Sequence, residues 1–212
     1  MIDMRVTFAH GLWSSTESSK VRYMRELGWD VVAIDMHRHG WNQQEQTRAV
    51  LNAIDEQGPF DLLIGSSFGG LATANAAALR SELDLRLLLL APAFGYHELL
   101  HDQLTPAEME AWERTNEHRF HPPGWESPVT LPYDFVKAAA DVSWPHLNHP
   151  TMVMHGTKDD VVPISNSERA LLHAEHAHLV PVDDGHRLHA SLHHLPSLAE
   201  RLLNPKESQQ RL

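Results

Sequence analysis

Residues 62–70 read Leu-Leu-Ile-Gly-Ser-Ser-Phe-Gly-Gly, and the alanine-rich residues 68–79 overlap the end of this stretch. The apolar run predicts a buried strand, and the alanine-rich residues predict a helix. A serine at such a strand-to-helix turn is held with its hydroxyl pointing outward, and glycines two positions away leave room for the turn. The pattern G-x-S-x-G in this context predicts a nucleophile at Ser67. The alternative is a serine that only caps the helix.

Short apolar runs alternate with longer amphipathic runs along the rest of the chain, which is typical of a parallel sheet covered by helices on both faces. The sequence therefore predicts an α/β fold with a mostly parallel central sheet of about six strands. The predicted strands are residues 5–9, 31–35, 62–65, 87–91, 151–155 and 178–182. The predicted helices are residues 18–27, 42–56, 68–79, 165–173 and 188–203.

The segment between residues 91 and 151 interrupts this alternation, because no run within it has the pattern of a core strand. Thr105, Pro106 and Glu108 match the N-cap, N1 and N3 positions of a helix start. We expect a single domain over residues 1–212, with residues 95–145 inserted as a cap. The alternative is an excursion that only covers the core. The aromatic residues expected to be exposed on a substrate-covering cap are Trp112, Phe120, Trp125, Tyr133 and Phe135.

A serine hydroxyl is a weak nucleophile unless a base takes its proton. Where a nucleophile lies on this kind of strand–turn–helix, the acid and then the histidine follow it along the chain. His186 comes directly after the last predicted strand and is the candidate base. His189, His193 and His194 lie on the next predicted helix, and we interpret them as surface or packing residues.

The imidazole of a catalytic histidine needs an acceptor that holds its tautomer and stabilises its charged form. Residues 155–163, His-Gly-Thr-Lys-Asp-Asp-Val-Val-Pro, follow a predicted strand and contain two acids, Asp159 and Asp160. The pattern H-G-x-x-D-x-x-V-P favours Asp159 as the acid. The alternative is a solvated acidic turn that caps the next helix.

A tetrahedral intermediate also needs donors for its negatively charged oxygen. His10, Gly11, Leu12 and Trp13 follow the first predicted strand, and the glycine lets the backbone approach a substrate closely. We expect the backbone N–H groups of Leu12 and Phe68 to be these donors. His10 is predicted to orient the loop through a hydrogen bond.

These segments follow separate strands, and the carboxyl ends of parallel strands share one edge of the sheet, where ligands bind. The sequence therefore predicts that Ser67, the acid and the base converge there. Trp13, Phe94 and Trp125 are the candidate substrate contacts.

Together these motifs resemble the α/β-hydrolase superfamily over nearly the whole chain. The resemblance implies a sheet of about eight strands, of which this chain lacks the usual first two. It also implies the triad Ser67, Asp159 and His186. Residues 10–15, His-Gly-Leu-Trp-Ser-Ser, taken with residues 65–70, are similar to small bacterial esterases of the YqiA type, which implies activity on short acyl esters.

The motifs predict a serine hydrolase that cleaves a carboxylic ester or thioester through an acyl-enzyme. An acyltransferase or a perhydrolase remains an alternative, because an alcohol or peroxide can capture the acyl group in place of water. A second alternative is a catalytically silent binding protein with the same fold. A serine nucleophile disfavours dehalogenase chemistry, whose nucleophile in this fold is an aspartate.

Charge and composition disfavour several other classes of function. The formal net charge of −11 opposes binding to nucleic acid, which requires a basic surface. No apolar run reaches the roughly 18–20 residues of a membrane span. With no cysteine and no signal-peptide pattern at the start, we expect a cytoplasmic protein whose partner is a small-molecule substrate.

No cofactor is expected, since neither a dinucleotide-binding nor a P-loop pattern is present. His37 and His39 raise the alternative of a metal site, but no third ligand is evident nearby, so no metal is predicted.

Overall fold

A computed structural model describes residues 4–205 and places a sheet at their centre. The strands are β1 (Arg5–Ala9), β2 (Asp30–Ile34), β3 (Leu62–Ser66), β4 (Leu87–Leu90), β5 (His118–Phe120), β6 (Val129–Leu131), β7 (Thr151–Gly156) and β8 (Ala177–Val182). Six of them form the central sheet in the order β2-β1-β3-β4-β7-β8. Every neighbouring pair in that sheet is parallel, which confirms the predicted fold class.

Helices cover both faces of the sheet. They are α1 (Ser19–Glu26), α2 (Gln43–Gln57), α3 (Phe68–Ala78), α4 (Tyr96–Gln103), α5 (Pro106–Thr115), α6 (Asp134–Ala140), α7 (Ile164–Leu171) and α8 (Leu195–Leu203). Side chains of α2, α3 and α7 pack into one core, and those of α1 and α8 pack into the core on the other face. None of the helices within residues 4–205 is long and apolar enough to cross a membrane.

Alternate residues of a central strand enter opposite cores. Leu87 and Leu89 of β4 pack on the side of α2 and α3, whereas Leu88 and Leu90 pack on the side of α1 and α8. All four are buried, because the sheet is covered on both faces. This explains why the strand is apolar throughout instead of alternating with polar residues.

The last helix begins later than the sequence predicts. Residues 188–203 were expected to form one helix, but Leu188 adopts a left-handed φ of 55°, which a helix does not tolerate. A short 3-10 helix, Leu192–His194, precedes α8. The chain therefore turns sharply just after His186 before the helix starts.

The segment between β4 and β7 contains α4, α5, β5, β6 and α6. Its β5 and β6 form an antiparallel hairpin separate from the central sheet, which the sequence did not predict because each strand is only three residues long. The predicted start of α5 is confirmed. Thr105 and Glu108 form a reciprocal capping box, and Pro106 is the first helical residue.

Several aromatic residues of this segment are buried, and the expectation that they are exposed is wrong for them. Trp112 and Phe135 are each 1% exposed. They belong to a third apolar cluster, which also contains Leu12 and Phe68. The indole N–H of Trp112 donates to the Leu131 carbonyl oxygen at 2.9 Å. Burial of these rings gives the segment a core of its own.

Candidate active site

Loops after four parallel strands meet at one edge of the central sheet. Ser67 follows β3, Asp159 lies in the loop after β7, and His186 lies in the loop after β8. The loop after β1 approaches the same place, since a Cβ added to Gly11 would lie 3.3 Å from the Ser67 Cβ. The strand ends therefore bring together Ser67 and His186, which are 119 positions apart in sequence.

The Ser67 backbone adopts φ 55° and ψ −121°, a conformation that residues other than glycine enter only under strain. Two glycines make this turn possible. A Cβ on Gly65 would collide with the Thr73 side chain and the Gly69 carbonyl oxygen, and a Cβ on Gly69 would collide with backbone of Ala9. The spacing in G-x-S-x-G thus has a steric cause in this chain.

Ser67, His186 and Asp159 form one continuous chain of hydrogen bonds. The Ser67 Oγ lies 2.9 Å from the His186 Nε2, and the His186 Nδ1 lies 2.7 Å from the Asp159 Oδ2. With the carboxylate as acceptor, Nδ1 carries the proton and Nε2 is free to accept from the serine hydroxyl. This arrangement allows a proton to pass from the hydroxyl to the imidazole.

The Asp159 side chain is fully buried, and its charge is compensated. Burial by itself would raise the pKa of Asp159. Hydrogen bonds from His155, from His186 and from the Val162 backbone N–H outweigh this effect and hold the pKa well below its usual range. The carboxylate therefore stays charged at the pH values where an imidazole titrates. Asp160, the alternative acid, is exposed.

The other late histidines are engaged elsewhere. His189 Nε2 lies 3.2 Å from the Ser19 hydroxyl, and His193 Nδ1 lies 2.8 Å from the Ala190 carbonyl oxygen. His186 is the histidine that reaches Ser67.

His10 fixes the peptide group that carries the Leu12 N–H. Its Nδ1–H donates to the Gly11 carbonyl oxygen at 2.9 Å, and the Ser14 N–H donates to the same oxygen at 3.0 Å. Because the C=O and N–H of a trans peptide point in opposite directions, holding this oxygen sets the direction of the Leu12 N–H. Burial lowers the pKa of His10, which favours the neutral ring that accepts at Nε2 from the Met36 N–H.

A cavity of about 630 Å³ opens at Ser67. The Leu12 and Phe68 residues predicted as oxyanion donors both line it. Its apolar lining includes Trp13, Tyr96, Leu99, Val161 and Val162. A second group of lining residues is polar or cationic and comprises Ser18, Ser19, Lys20, Arg22, Arg187 and His189.

The three candidate substrate contacts have different positions. Trp13 lines the cavity. Phe94 does not, because it is completely buried in the core beside α3. Trp125 is 40% exposed and also lies outside the cavity lining, with its ring edge-on to Trp13 at a centroid distance of 6.2 Å. The sequence shows that these residues are large and apolar but does not show which way they point.

Sequence reasoning missed several cavity residues. Tyr96 and Leu99 lie one turn apart on α4 and line the cavity together, and their i, i+3 spacing was the available signal. Lys20 of α1 also lines the cavity. Its Nζ donates to the Arg187 carbonyl oxygen at 2.8 Å. Burial, followed by repulsion from Arg187, lowers the pKa of Lys20 to about 8.

An all-parallel sheet with a strained serine at the turn from a central strand into a helix is the architecture of α/β hydrolases, and this chain has that fold. The chain belongs to the family described as Uncharacterised protein family (UPF0227), whose model matches residues 5–202. The family match confirms the resemblance that the sequence motifs indicated.

The chain is also similar to the palmitoyl-protein thioesterase ABHD10 of mitochondria. It is 32% identical to the mouse protein over 129 residues, which cover 56% of this chain and 42% of the mouse protein. It is 30% identical to the human protein over 162 residues, which cover 66% of this chain and 51% of the human protein. The match thus spans about half the length of these relatives.

Solved structures with the same fold include mouse ABHD10, with a TM-score of 0.78 and 20% identity over 95% of this chain and 90% of that one. Est1E from Butyrivibrio proteoclasticus with bound ferulic acid has a TM-score of 0.69 and 19% identity over 97% and 90%. A monoacylglycerol lipase from Paleococcus ferrophilus has a TM-score of 0.70 and 16% identity over 94% and 93%. At these identities the likeness shows a shared fold.

Proposed function

We propose that the protein is a serine hydrolase that cleaves a carboxylic ester or thioester, with Ser67 as nucleophile, His186 as general base and Asp159 as its acidic partner. The observation that carries this proposal is the hydrogen-bonded path from the Ser67 hydroxyl through the His186 ring to a buried carboxylate, with contacts of 2.9 and 2.7 Å. Such a path is what activates a serine hydroxyl.

The proposed reaction proceeds through an acyl-enzyme. Neutral His186 takes the hydroxyl proton as the Ser67 Oγ bonds to the acyl carbon. The bond from that carbon to the leaving oxygen or sulfur then breaks, and the leaving group departs with the proton from His186. Water repeats the sequence on the acyl-enzyme and releases the acid. Asp159 stays ionised throughout and stabilises the charged imidazole.

The negative charge on the intermediate is assigned to the backbone N–H groups of Leu12 and Phe68. Two features support the assignment. Both residues line the cavity at Ser67, and the His10 hydrogen bond directs the Leu12 N–H away from the Gly11 carbonyl oxygen. Phe68 is also the first residue of α3, where an unpaired N–H and the helix dipole favour negative charge.

The relatives support an acyl substrate with an apolar chain. ABHD10 carries the name palmitoyl-protein thioesterase, and other proteins of the same fold carry the names esterase and lipase. The apolar lining contributed by Trp13, Tyr96 and Leu99 suits an acyl chain. In this proposal the inserted segment, through α4, forms part of the acyl-binding wall.

A fluorophosphonate probe tests the nucleophile directly, because it labels an activated serine without needing the true substrate. Wild type is expected to be labelled and Ser67→Ala to remain unlabelled, while the neighbouring Ser66→Ala serves as the matched control. p-Nitrophenyl esters and acyl-CoA thioesters of graded chain length then define the substrate. Failure of the folded wild type to react with the probe would overturn the proposal in favour of a silent binding protein.

A further inference from the structure

A second histidine, His155, lies behind the proposed triad and is fully buried. It is the next-to-last residue of β7, four positions before Asp159. Its Nε2 lies 3.1 Å from the Asp159 Oδ2 and 2.9 Å from the Val162 carbonyl oxygen. Its Nδ1 lies 2.7 Å from the Ser167 hydroxyl of α7.

These partners define the protonation of the His155 ring. Both groups facing Nε2 are acceptors, so Nε2 carries the proton, which it donates to the Val162 carbonyl oxygen, with the Asp159 Oδ2 at 3.1 Å from the same nitrogen. Nδ1 then accepts from the Ser167 hydroxyl, which is also completely buried. Two imidazole nitrogens thus lie against Asp159 Oδ2, that of His155 at 3.1 Å and that of His186 at 2.7 Å.

The other carboxylate oxygen is equally occupied. Asp159 Oδ1 accepts from the backbone N–H groups of Val161 and Val162 at 2.9 and 2.8 Å. The carboxylate cannot rotate without losing one of these bonds or the bond from His186 in a buried site, where each unsatisfied group is costly. Among residues 4–205, His155 is the side chain besides His186 whose nitrogen contacts the carboxylate.

We propose that His155 is a positioning residue, which locks the Asp159 carboxylate against the His186 ring and shares its negative charge. The expected effects of His155 on turnover rest on the proposed hydrolase function. The geometry of the two imidazoles on one carboxylate oxygen exists with or without turnover. Without His155, the carboxylate gains freedom to turn and presents more of its charge to His186.

Other charged groups lie near His186, in its own loop and on α1. Asp184 precedes it in the same loop and accepts from the Gly185 and Ser191 backbone N–H groups. Lys20 of α1 donates to the Arg187 carbonyl oxygen, and the Arg187 side chain is exposed. The Asp159 carboxylate is the acidic group that contacts the His186 ring, so a change at His155 reaches His186 through Asp159.

The kinetic test compares His155→Leu with His155→Gln, whose amide can still donate near the Nε2 position. His149→Leu is the matched control, because His149 is also buried and bonds a carbonyl oxygen, that of Ala77, away from the site.

We expect His155→Leu to lower kcat about tenfold with little change in KM. The acid limb of its pH profile should move to higher pH, because a less shared carboxylate stabilises the charged imidazole. His155→Gln should recover much of both effects.

A second readout does not depend on turnover. The Nδ1 proton between His186 and Asp159 is expected to give a downfield NMR resonance in wild type, absent in Asp159→Asn. His155→Leu should shift or broaden this resonance, and His149→Leu should leave it unchanged. Loss of activity in His155→Leu with an unmoved pH profile and an unmoved resonance would overturn the positioning role. Failure of the proposed function would appear separately, as a Ser67→Ala protein that still hydrolyses substrate.

Discussion

At the scale of single residues, the strained backbone of Ser67 exposes its hydroxyl and lowers the stability of the fold. Its φ of 55° and ψ of −121° mirror an extended conformation, which glycine adopts without strain. We expect Ser67→Gly to be more stable than Ser67→Ala by about 1 kcal/mol, with both variants inactive. Chemical denaturation of the two variants measures the difference. Equal midpoints would mean that the turn is not strained.

The proposed roles of His186 and Asp159 make a prediction about pH. kcat/KM should rise with pH along the acid limb of its profile, because a protonated His186 cannot take the serine proton. The pKa of Asp159 is held below its usual range, so its carboxyl is already ionised and adds no second step. A pH profile with a single-proton acid limb is therefore expected. A limb that requires two protons would contradict the assignment of Asp159.

At the scale of elements, the sequence predicts a helix or strand well when residues close together in the chain specify it, and poorly when distant contacts do. The turn from β3 into α3 was predictable because Gly65, Ser67 and Gly69 specify it within five residues. The start of α8 was not predictable, because the residue in the left-handed conformation before it is Leu188, and no glycine in the sequence indicates a turn there. The hairpin of β5 and β6 was missed because three-residue strands show no periodicity.

The third apolar cluster links packing to the proposed oxyanion donors, since it joins Leu12 and Phe68 to residues of the segment between β4 and β7. Trp112→Phe removes the N–H that satisfies the Leu131 carbonyl oxygen, and should lower the free energy of unfolding by about 1–3 kcal/mol. We also expect kcat to fall, because the cluster supports the two donor residues.

The matched control is Trp29→Phe, since Trp29 is buried in the core on the opposite face, with α1 and α8. It should lower stability without lowering kcat of the folded enzyme. Measurements well below the unfolding temperature separate the two effects. If both variants reduce kcat equally, the cluster has no particular connection to the site.

At the scale of the whole molecule, the candidate site was predictable in outline because parallel strands place their carboxyl ends together. Ser67, Asp159 and His186 each follow a strand, so their order and position were readable from sequence. The residues that line the cavity were harder to predict from sequence, because the lining depends on how the segment between β4 and β7 packs. Phe94 was mistaken for a substrate contact since its burial beside α3 is a tertiary property.

The distribution of charge over the molecule leads to a final prediction about the leaving group. The net charge is −11, yet Lys20, Arg22 and Arg187 line the cavity at Ser67, while the lining residue Glu17 is paired with Arg25 at 3.6 Å. Substrates with an anionic leaving group should therefore bind more tightly than neutral ones. Lys20→Met should raise KM about fivefold for acyl-CoA thioesters, corresponding to ~1 kcal/mol, and leave KM for neutral p-nitrophenyl esters unchanged. Because burial lowers the pKa of Lys20 to about 8, its contribution should fade above that pH, and added salt should weaken it as well. An equal rise in KM for both substrate types would show that Lys20 acts through packing and not through its charge.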